Sequence, residues 1–287
     1  GGGIYMSECH PILRNLIITG NRAHESDYAM CKGDFTEITQ SYHPNKCGVM
    51  YDYYSNQQYQ RARQEGSRRG TDGGGVYAEY SNPIFSNVTV TNNYARKRGG
   101  GLAFNNCPRV IMTDVEINNN YQTCGSMHWW IDWGGGGLWA DSSNIYIDRF
   151  MFDDNEAAFR GGGLCGIESS MYLSNGLITG NSSSTCSSCG PFFGRTHGEE
   201  GGGLHIYLLK DLIIDHVTFA SNTNGRIRNN YGGYAMSFRY HDYASWGDVS
   251  MRHSIFYNNL GVEGTGWDED RGFDAIYAHP SASAPGL

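Results

Sequence analysis

The chain has 287 residues, of which 17% are charged and 39% hydrophobic, so its composition is that of a folded protein and excludes a disordered one. The formal net charge of −8 argues against nucleic acid as a partner. No apolar run reaches the roughly 18–20 residues that a membrane-spanning helix needs, so the sequence predicts no membrane span.

Glycine is unusually frequent, at 40 residues, but it lacks the every-third spacing of collagen. This composition predicts many short strands joined by tight turns. The sequence opens with three glycines, and we expect it to be a processed product or an excised piece of a longer protein.

A repeat runs along the chain, and each copy begins with a glycine run followed by an apolar residue: Ile4, Val76, Leu102, Leu138, Leu164 and Leu204. Eight residues later comes a second apolar position: Ile12, Ile84, Val110, Tyr146, Tyr172 and Leu212. Fourteen or fifteen residues after the first comes a third: Ile18, Val90, Ile117, Phe152, Ile178 and Phe219. A weaker seventh copy begins at Gly232, and an eighth begins at Gly272.

Each copy contains short segments in which apolar and polar residues alternate, which indicates strands. One such unit cannot bury its apolar face, whereas stacked units can. The sequence therefore predicts an all-β fold, a single right-handed parallel β-helix over residues 1–287 with about seven to eight coils. All three apolar positions are expected to form internal stacks, with equivalent side chains about 4.8 Å apart.

An asparagine closes each copy, and we expect these residues to form a ladder in which side-chain amides bond from coil to coil: Asn21, Asn93, Asn120, Asn155, Asn181, Asn222 and Asn259. The same asparagines are expected to adopt the left-handed conformation of a sharp corner. The glycine runs fall where the chain re-enters the first strand, and a Cβ there would clash with the next coil.

Two motifs carry a resemblance to a known family. Gly100-Gly101-Leu102 and Phe152-Asp153-Asp154-Asn155 match the Gly-Gly-[Ala/Ile/Leu/Val] and Phe-x-x-Asn marks of the polymorphic outer membrane protein type of β-helix repeat. The sequence resembles that repeat over most of its length outside the insertions. The resemblance implies an extracellular protein, secreted or on the cell surface. The family with this repeat includes bacterial adhesin passengers and wall, matrix or flagellar-hair components of algae and other protists.

Extra sequence is inserted between the closing asparagine and the next glycine run, over residues 22–72, 121–133, 182–200 and 223–231. All four insertions are predicted to leave from one corner of the coil, and such an edge often forms the working face of a solenoid. The second insertion carries Trp129, Trp130 and Trp133, which can stack on sugars, contact another subunit or pack on their own coil.

The eight cysteines predict disulfides and an oxidising compartment, with buried free thiols as the alternative. Cys31 and Cys47 are expected to pair and close the first insertion. Cys124 can pair with Cys186 or Cys189. Cys9 and Cys107 occupy equivalent places two coils apart, too far for a direct bond.

Two sequons, at Asn87 and Asn181, are candidates for N-glycosylation if the source is eukaryotic. Asn181 is also a predicted ladder residue, so a glycan and the ladder would compete for one side chain. Asn87 is therefore the favoured site.

Catalysis is the main alternative, because many β-helices cleave polysaccharides. Asp153, Asp154, His197 and Arg226 leave from the same corner and resemble parts of the polygalacturonase-like catalytic set, although its Asn-Thr-Asp motif is missing. Asp153 and Asp154 can equally be turn residues. No zinc-site spacing is present and no cofactor is expected, apart from a weak possibility of Ca²⁺ at Asp268-Glu269-Asp270.

The sequence favours an extracellular structural protein, a glycosylated subunit that self-associates end to end into a surface or hair-like filament or matrix. Glycans are further possible partners. The alternative is a polygalacturonase-like or pectate-lyase-like enzyme, or a carbohydrate-binding adhesin.

Overall fold

The computed structural model describes residues 2–23, 72–123, 134–158, 160–183, 201–208, 210–224, 234–239, 247–259 and 276–278. All regular secondary structure in these residues is β, and its strands pair in parallel in three sheets. This arrangement confirms the predicted parallel β-helix. Within the described ranges, no helix is long and apolar enough to cross a membrane.

In the first six coils each sheet takes one strand from every coil, and the strands are numbered here in chain order. The first sheet contains, in spatial order, β1 (Ile4–Ser7), β4 (Val76–Glu79), β7 (Leu102–Asn105), β10 (Leu138–Asp141), β13 (Leu164–Ile167), β16 (Leu204–Tyr207), β19 (Met236–Arg239) and β22 (Ile276–Ala278). The second contains β2 (Ile12–Thr19), β5 (Ile84–Thr91), β8 (Val110–Asn118), β11 (Asn144–Asp153), β14 (Ser170–Thr179), β17 (Asp211–Ala220) and β20 (Asp248–Arg252), with β21 (Ile255–Tyr257) also beside β17. The third contains β3 (Arg22–Ala23), β6 (Tyr94–Ala95), β9 (Tyr121–Gln122), β12 (Glu156–Ala157), β15 (Ser182–Ser183) and β18 (Thr223–Asn224).

The strands divide each coil differently from the predicted segments. The second and third apolar positions, such as Ile12 and Ile18, lie on one long strand of the second sheet. The third sheet is built from the two residues that follow the closing asparagine. The first two residues of each predicted insertion, for example Arg22 and Ala23, therefore belong to the coil. Most of each insertion lies outside the described residues.

Each long strand of the second sheet bends at one residue with a positive φ. These bend residues are Asn15, Asn87, Asp114, Arg149, Asn175 and His216, and His253 occupies the same place after β20. In β5 the bend makes two neighbouring residues, Ser86 and Asn87, face outward before the alternation resumes. Such a local irregularity redirects a strand and re-aims its side chains.

Two of the three predicted core stacks are confirmed. The first-sheet stack runs Ile4, Val76, Leu102, Leu138, Leu164 and Leu204 in register. The stack at the end of the second sheet runs Ile18, Val90, Ile117, Phe152, Ile178 and Phe219.

The remaining predicted core stack is wrong in part. Val110 and Leu212 are buried, but Ile12 and Tyr146 lie in an outward row and are 57% and 38% exposed. The turn before the second sheet varies by one residue among coils, as the pairing of Ile84 with Ile111 shows. Because side chains alternate along a strand, a slip of one residue moves a position to the opposite face.

The glycine runs have the predicted steric role. A Cβ on Gly100 would lie 2.3 Å from the carbonyl oxygen of Gly136, and one on Gly136 would lie 2.4 Å from that of Gly162. The run also needs a left-handed residue at its start, since Gly99 has a φ of 60°. Glycine therefore allows both the sharp turn and the close approach of consecutive coils.

A second ladder, which the repeat analysis missed, lies between the first and second sheets. Serine or cysteine occupies this corner in the first five coils: Cys9, Ser81, Cys107, Ser143 and Ser169. The backbone N–H of Cys107 donates to Ser143 Oγ at 2.9 Å, and that of Ser143 donates to Ser169 Oγ at 3.1 Å. The hydroxyls of Ser81, Ser143 and Ser169 each donate to the carbonyl two residues earlier, so these buried hydroxyls have partners within the protein.

Candidate functional site

The asparagine side chains do form a continuous ladder through seven coils. Asn93 is typical: its Nδ2 donates to Asn120 Oδ1 at 3.0 Å, to the Thr91 carbonyl at 3.0 Å and to the Ile18 carbonyl at 2.9 Å. The Asn93 backbone N–H also donates to Asn120 Oδ1. The remaining ladder contacts join Asn21, Asn155, Asn181, Asn222 and Asn259 in the same way.

The left-handed conformation at this corner belongs to the residue before each ladder asparagine, which corrects the prediction. The residues with positive φ are Gly20, Asn92, Asn119, Asp154, Gly180, Ser221 and Asn258. The side-chain amide of the ladder asparagine spans this left-handed residue: Asn93 Nδ2 donates to the carbonyl of Thr91, on the other side of Asn92. The preceding residue makes the turn, and the asparagine is left free to point into the corner.

The two predicted glycosylation sites have opposite surroundings. Asn181 is fully buried, and its Nδ2 donates to Asn222 Oδ1 and to the Phe152 and Thr179 carbonyls. A glycan on that nitrogen would displace these ladder bonds, so the surroundings of Asn181 favour the ladder over glycosylation. Asn87 is exposed at a bend, where its Nδ2 donates to Asn15 Oδ1 at 2.8 Å.

Most other predicted site residues lie outside the described residues. These are the disulfide candidates Cys31, Cys47, Cys124, Cys186 and Cys189, the tryptophans Trp129, Trp130 and Trp133, and the catalytic candidates His197 and Arg226. Among the cysteines that are described, Cys9 and Cys107 are thiols. Ser81 stands between them in the second ladder, in agreement with the expectation that they are too far apart to bond.

The predicted catalytic carboxylates Asp153 and Asp154 stand together at the ladder corner. Asp153 is half-buried and Asp154 is exposed, with a φ of 49°. Burial, and then the neighbouring Asp154 charge, raise the pKa of Asp153 above the usual value of an aspartate. Gly180 of the next coil leaves room for both side chains, because a Cβ there would lie 2.4 Å from Asp154 Oδ1.

A shallow groove of about 320 Å³ lies on the outer face of the second sheet. This outer groove is formed by an apolar row and a polar row from four successive coils: Ile111, Tyr146, Tyr172 and Ile213, then Thr113, Asp148, Ser174 and Asp215. The rows arise because every second residue of a strand faces outward, and the register between coils places each of these residues directly above its equivalent. The repeat analysis missed this groove because it assigned Tyr146 and Tyr172 to the core.

The tyrosines of the outer groove stack on each other. The ring centroids of Tyr146 and Tyr172 are 4.5 Å apart, and the ring planes differ by 3°. Each ring covers the facing side of the other, so the two tyrosines present their hydroxyls and ring edges to solvent. Burial and the neighbouring Tyr146 raise the pKa of Tyr172, so the Tyr172 hydroxyl is a neutral donor at physiological pH.

One ion-pair cluster beside the outer groove joins coils through Arg149. The Arg149 guanidinium donates to Asp114 of the preceding coil from Nε at 2.7 Å and from Nη2 at 2.9 Å, and it also contacts Asp148. Hydrogen bonds from Ser174 and Asn175, followed by the Arg149 charge, hold the pKa of Asp148 below its usual value. A cation at the bend thus neutralises carboxylates of two coils.

A second cluster beside the groove contains two histidines and one carboxylate. Nδ1 of His216 and Nδ1 of His253 each lie 2.9 Å from Oδ1 of Asp215, and the two rings stack with centroids 4.4 Å apart. The hydrogen bond from His253, together with the nearby imidazoles, holds the pKa of Asp215 below its usual value. His216 and His253 are distant in sequence, so only coil stacking reveals the cluster.

No model of a known protein family matches this chain, and no curated protein or solved structure matches it either.

Proposed function

We propose that this protein is an extracellular structural subunit whose coils stack end to end to build a filament or surface layer. The observation that carries the proposal is the exposed apolar interior of the first coil. Within the described residues, strands β1, β2 and β3 lie at one end of the three sheets. Leu16 is 38% exposed there, whereas Val88, its equivalent in the second coil, is 2% exposed. An apolar coil edge that no described strand pairs with favours the addition of another coil.

The direction of the asparagine ladder supports a head-to-tail contact. Each of the six ladder residues from Asn21 to Asn222 donates its backbone N–H and Nδ2 to Oδ1 of the following coil, as Asn222 does to Asn259. Within the described residues, Asn21 donates to the next coil but its Oδ1 accepts no hydrogen bond. The first coil therefore offers an acceptor, and a ladder of this direction would offer a donor at its opposite end. A contact that joins unlike ends does not close, and it extends into a fibre.

A second copy of this chain is the occupant that fits both ends. In such a contact the outward row that contains Ile17 would continue into the next copy. Ile17 is 74% exposed, and the contact would bury it. The extracellular assignment rests on sequence features, namely the cysteine content and the sequon at Asn87, which lies at an exposed bend.

Sedimentation velocity over a range of concentrations, with negative-stain electron microscopy, tests the proposal. We expect the wild-type protein to form fibres and Leu16→Glu to remain monomeric, because a buried charge at the contact would be unpaired. Ile213→Glu is the matched control: it places the same charge at an exposed apolar residue in the middle of the coil stack and should assemble like the wild type. A wild-type protein that stays monomeric at every concentration would contradict the proposal.

The raised pKa of Asp153 beside Asp154 favours one alternative, a polysaccharide hydrolase in which Asp153 acts as the general acid. The test is an assay of sugar release from acidic polysaccharides. Release that is lost in both Asp153→Asn and Asp154→Asn would establish the enzyme, whereas no release from the wild type would support the structural role.

A further inference from the structure

The two-histidine cluster is a product of the bend in the second sheet. His216 and His253 are bend residues of consecutive coils, with φ values of 55° and 48°. Equivalent left-handed residues project their side chains in the same direction, so the two rings stack one coil apart. Asp215 immediately precedes His216 on β17, and its Oδ1 is the atom toward which both Nδ1 atoms point.

We propose that Asp215, His216 and His253 bind a divalent transition-metal ion of the Zn²⁺ or Cu²⁺ class between the sixth and seventh coils. Zn–N and Zn–O bonds of about 2.0–2.2 Å, at angles between about 90° and 109°, separate neighbouring ligand atoms by about 2.9–3.5 Å. The two N···O distances here are 2.9 Å, and the three ligand atoms all lie within 4.8 Å of one another. Small side-chain rotations therefore suffice to place an ion between them.

The donor set determines the class of metal. Two imidazole nitrogens and one carboxylate oxygen suit Zn²⁺, Cu²⁺ and Ni²⁺, whereas Ca²⁺ and Mg²⁺ prefer oxygen ligands. All three side chains are partly exposed, with side-chain exposures of 59%, 41% and 64% for His216, Asp215 and His253. Water can therefore complete the coordination shell from the solvent side.

The Arg149 cluster supports a cation at this place in the coil. At the equivalent bend, Arg149 supplies a positive charge that joins Asp114 and Asp148 of neighbouring coils. At His216 the bend residue is an imidazole, and the carboxylate of Asp215 pairs with two such rings instead of one guanidinium. A bound metal would complete that site with a cation fixed between two coils, as Arg149 does between the third and fourth coils.

One neighbouring charge opposes binding. Arg252 lies directly beside Asp215 in the register between β17 and β20. A positive charge at this register position would repel a metal cation bound at Asp215. Replacement of Arg252 by glutamine should therefore tighten metal binding. If the three side chains only formed hydrogen bonds with each other and bound no metal, this replacement would not change metal affinity.

The experiment measures Zn²⁺ bound per chain by equilibrium dialysis in the wild type and in single variants. The sequence contains ten histidines, so the difference between variants is the informative quantity. We expect His216→Gln and His253→Gln each to lose one bound equivalent, or to bind it at least about tenfold more weakly. His10→Gln removes an exposed histidine of the first coil and is the matched control, which should bind like the wild type.

A second readout follows Cu²⁺ by electron paramagnetic resonance, which reports the number of bound nitrogens. The signal should show two nitrogen ligands in the wild type and one in either histidine variant. Circular dichroism spectra should be unchanged, because the three side chains are not in the core. Equal stoichiometry and affinity in the wild type, His216→Gln and His253→Gln would overturn the proposal. This result is independent of filament formation.

Discussion

Asn155 donates from Nδ2 to Oδ1 of Asn181 in the next coil, over 3.0 Å, and both side chains are completely buried. The same nitrogen also donates to the Ile117 carbonyl at 2.7 Å, and Oδ1 of Asn155 accepts two bonds from Asn120. One side chain thus joins three coils at the corner where each coil turns from its second to its third strand.

Replacement of Asn155 by alanine should destabilise the protein by about 2–4 kcal/mol, because it leaves buried donors and acceptors of the neighbouring coils unpaired. Denaturant unfolding measures the change. Asn118→Thr, in the outward row near the same corner, is the control, since the equivalent positions already hold Thr91 and Thr179. Equal stabilities for the two variants would mean that the ladder is dispensable.

Phe150 and Gly176 illustrate how neighbouring coils share core volume. A Cβ on Gly176 would lie 2.2 Å from the Phe150 ring, so the large residue fills the space that the small one leaves. The equivalent positions in other coils are Val88, Val115 and Val217. We expect Gly176→Val to cost about 1–3 kcal/mol through overpacking, and Phe150→Val to cost a similar amount through a cavity.

The double variant Phe150→Val/Gly176→Val should restore stability to within about 1 kcal/mol of the wild type, because it makes the row uniform. A thermodynamic cycle from denaturant unfolding gives the coupling energy. Simple addition of the two single losses would refute the complementary packing of this pair.

Asp148 should contribute to stability in a pH-dependent way. Its folded-state pKa lies below the usual value of about 3.9, because Ser174, Asn175 and Arg149 stabilise the carboxylate. The contribution is therefore complete above about pH 4 and is lost as the pH falls through the folded-state pKa. The melting temperature of the wild type should fall more steeply between pH 5 and pH 2 than that of Asp148→Asn. Parallel curves would contradict this.

The charge of Asp153 should have the opposite effect on stability to that of Asp148. Burial and Asp154 raise its folded-state pKa, so the folded protein is penalised once the pH exceeds the unfolded-state pKa of about 3.9. Asp153→Asn should raise the melting temperature at pH 7 and leave it nearly unchanged at pH 3. A variant that is less stable at pH 7 would show that the carboxylate is needed by the fold.

If the chain is produced through a eukaryotic secretory pathway, the folded product should carry an N-glycan at Asn87 and none at Asn181. Asn87 is exposed, whereas Asn181 Nδ2 has three hydrogen-bond acceptors inside the ladder. Mass spectrometry of tryptic peptides after glycosidase treatment locates the glycan. Occupied Asn181 in folded material would be incompatible with the ladder described above.

The sequence by itself determined the coil. The glycine runs, the apolar position after each run and the closing asparagine are imposed by close contacts between identical layers, so they repeat visibly along the chain. Leu102, Ile117 and Asn120 were placed correctly for that reason. The outward rows have no such constraint, and a turn that differs by one residue was enough to assign Tyr146 to the wrong face.

Only the tertiary structure decided which residues meet on the surface. His216 and His253 are separated by most of one coil, yet their rings stack because the bend recurs in register. The third sheet was likewise hidden, because its two-residue strands carry no hydrophobic period and are defined by pairing with neighbouring coils. A repeating sequence fixes what every layer must share, whereas contacts between layers depend on distances that only the stacked chain sets.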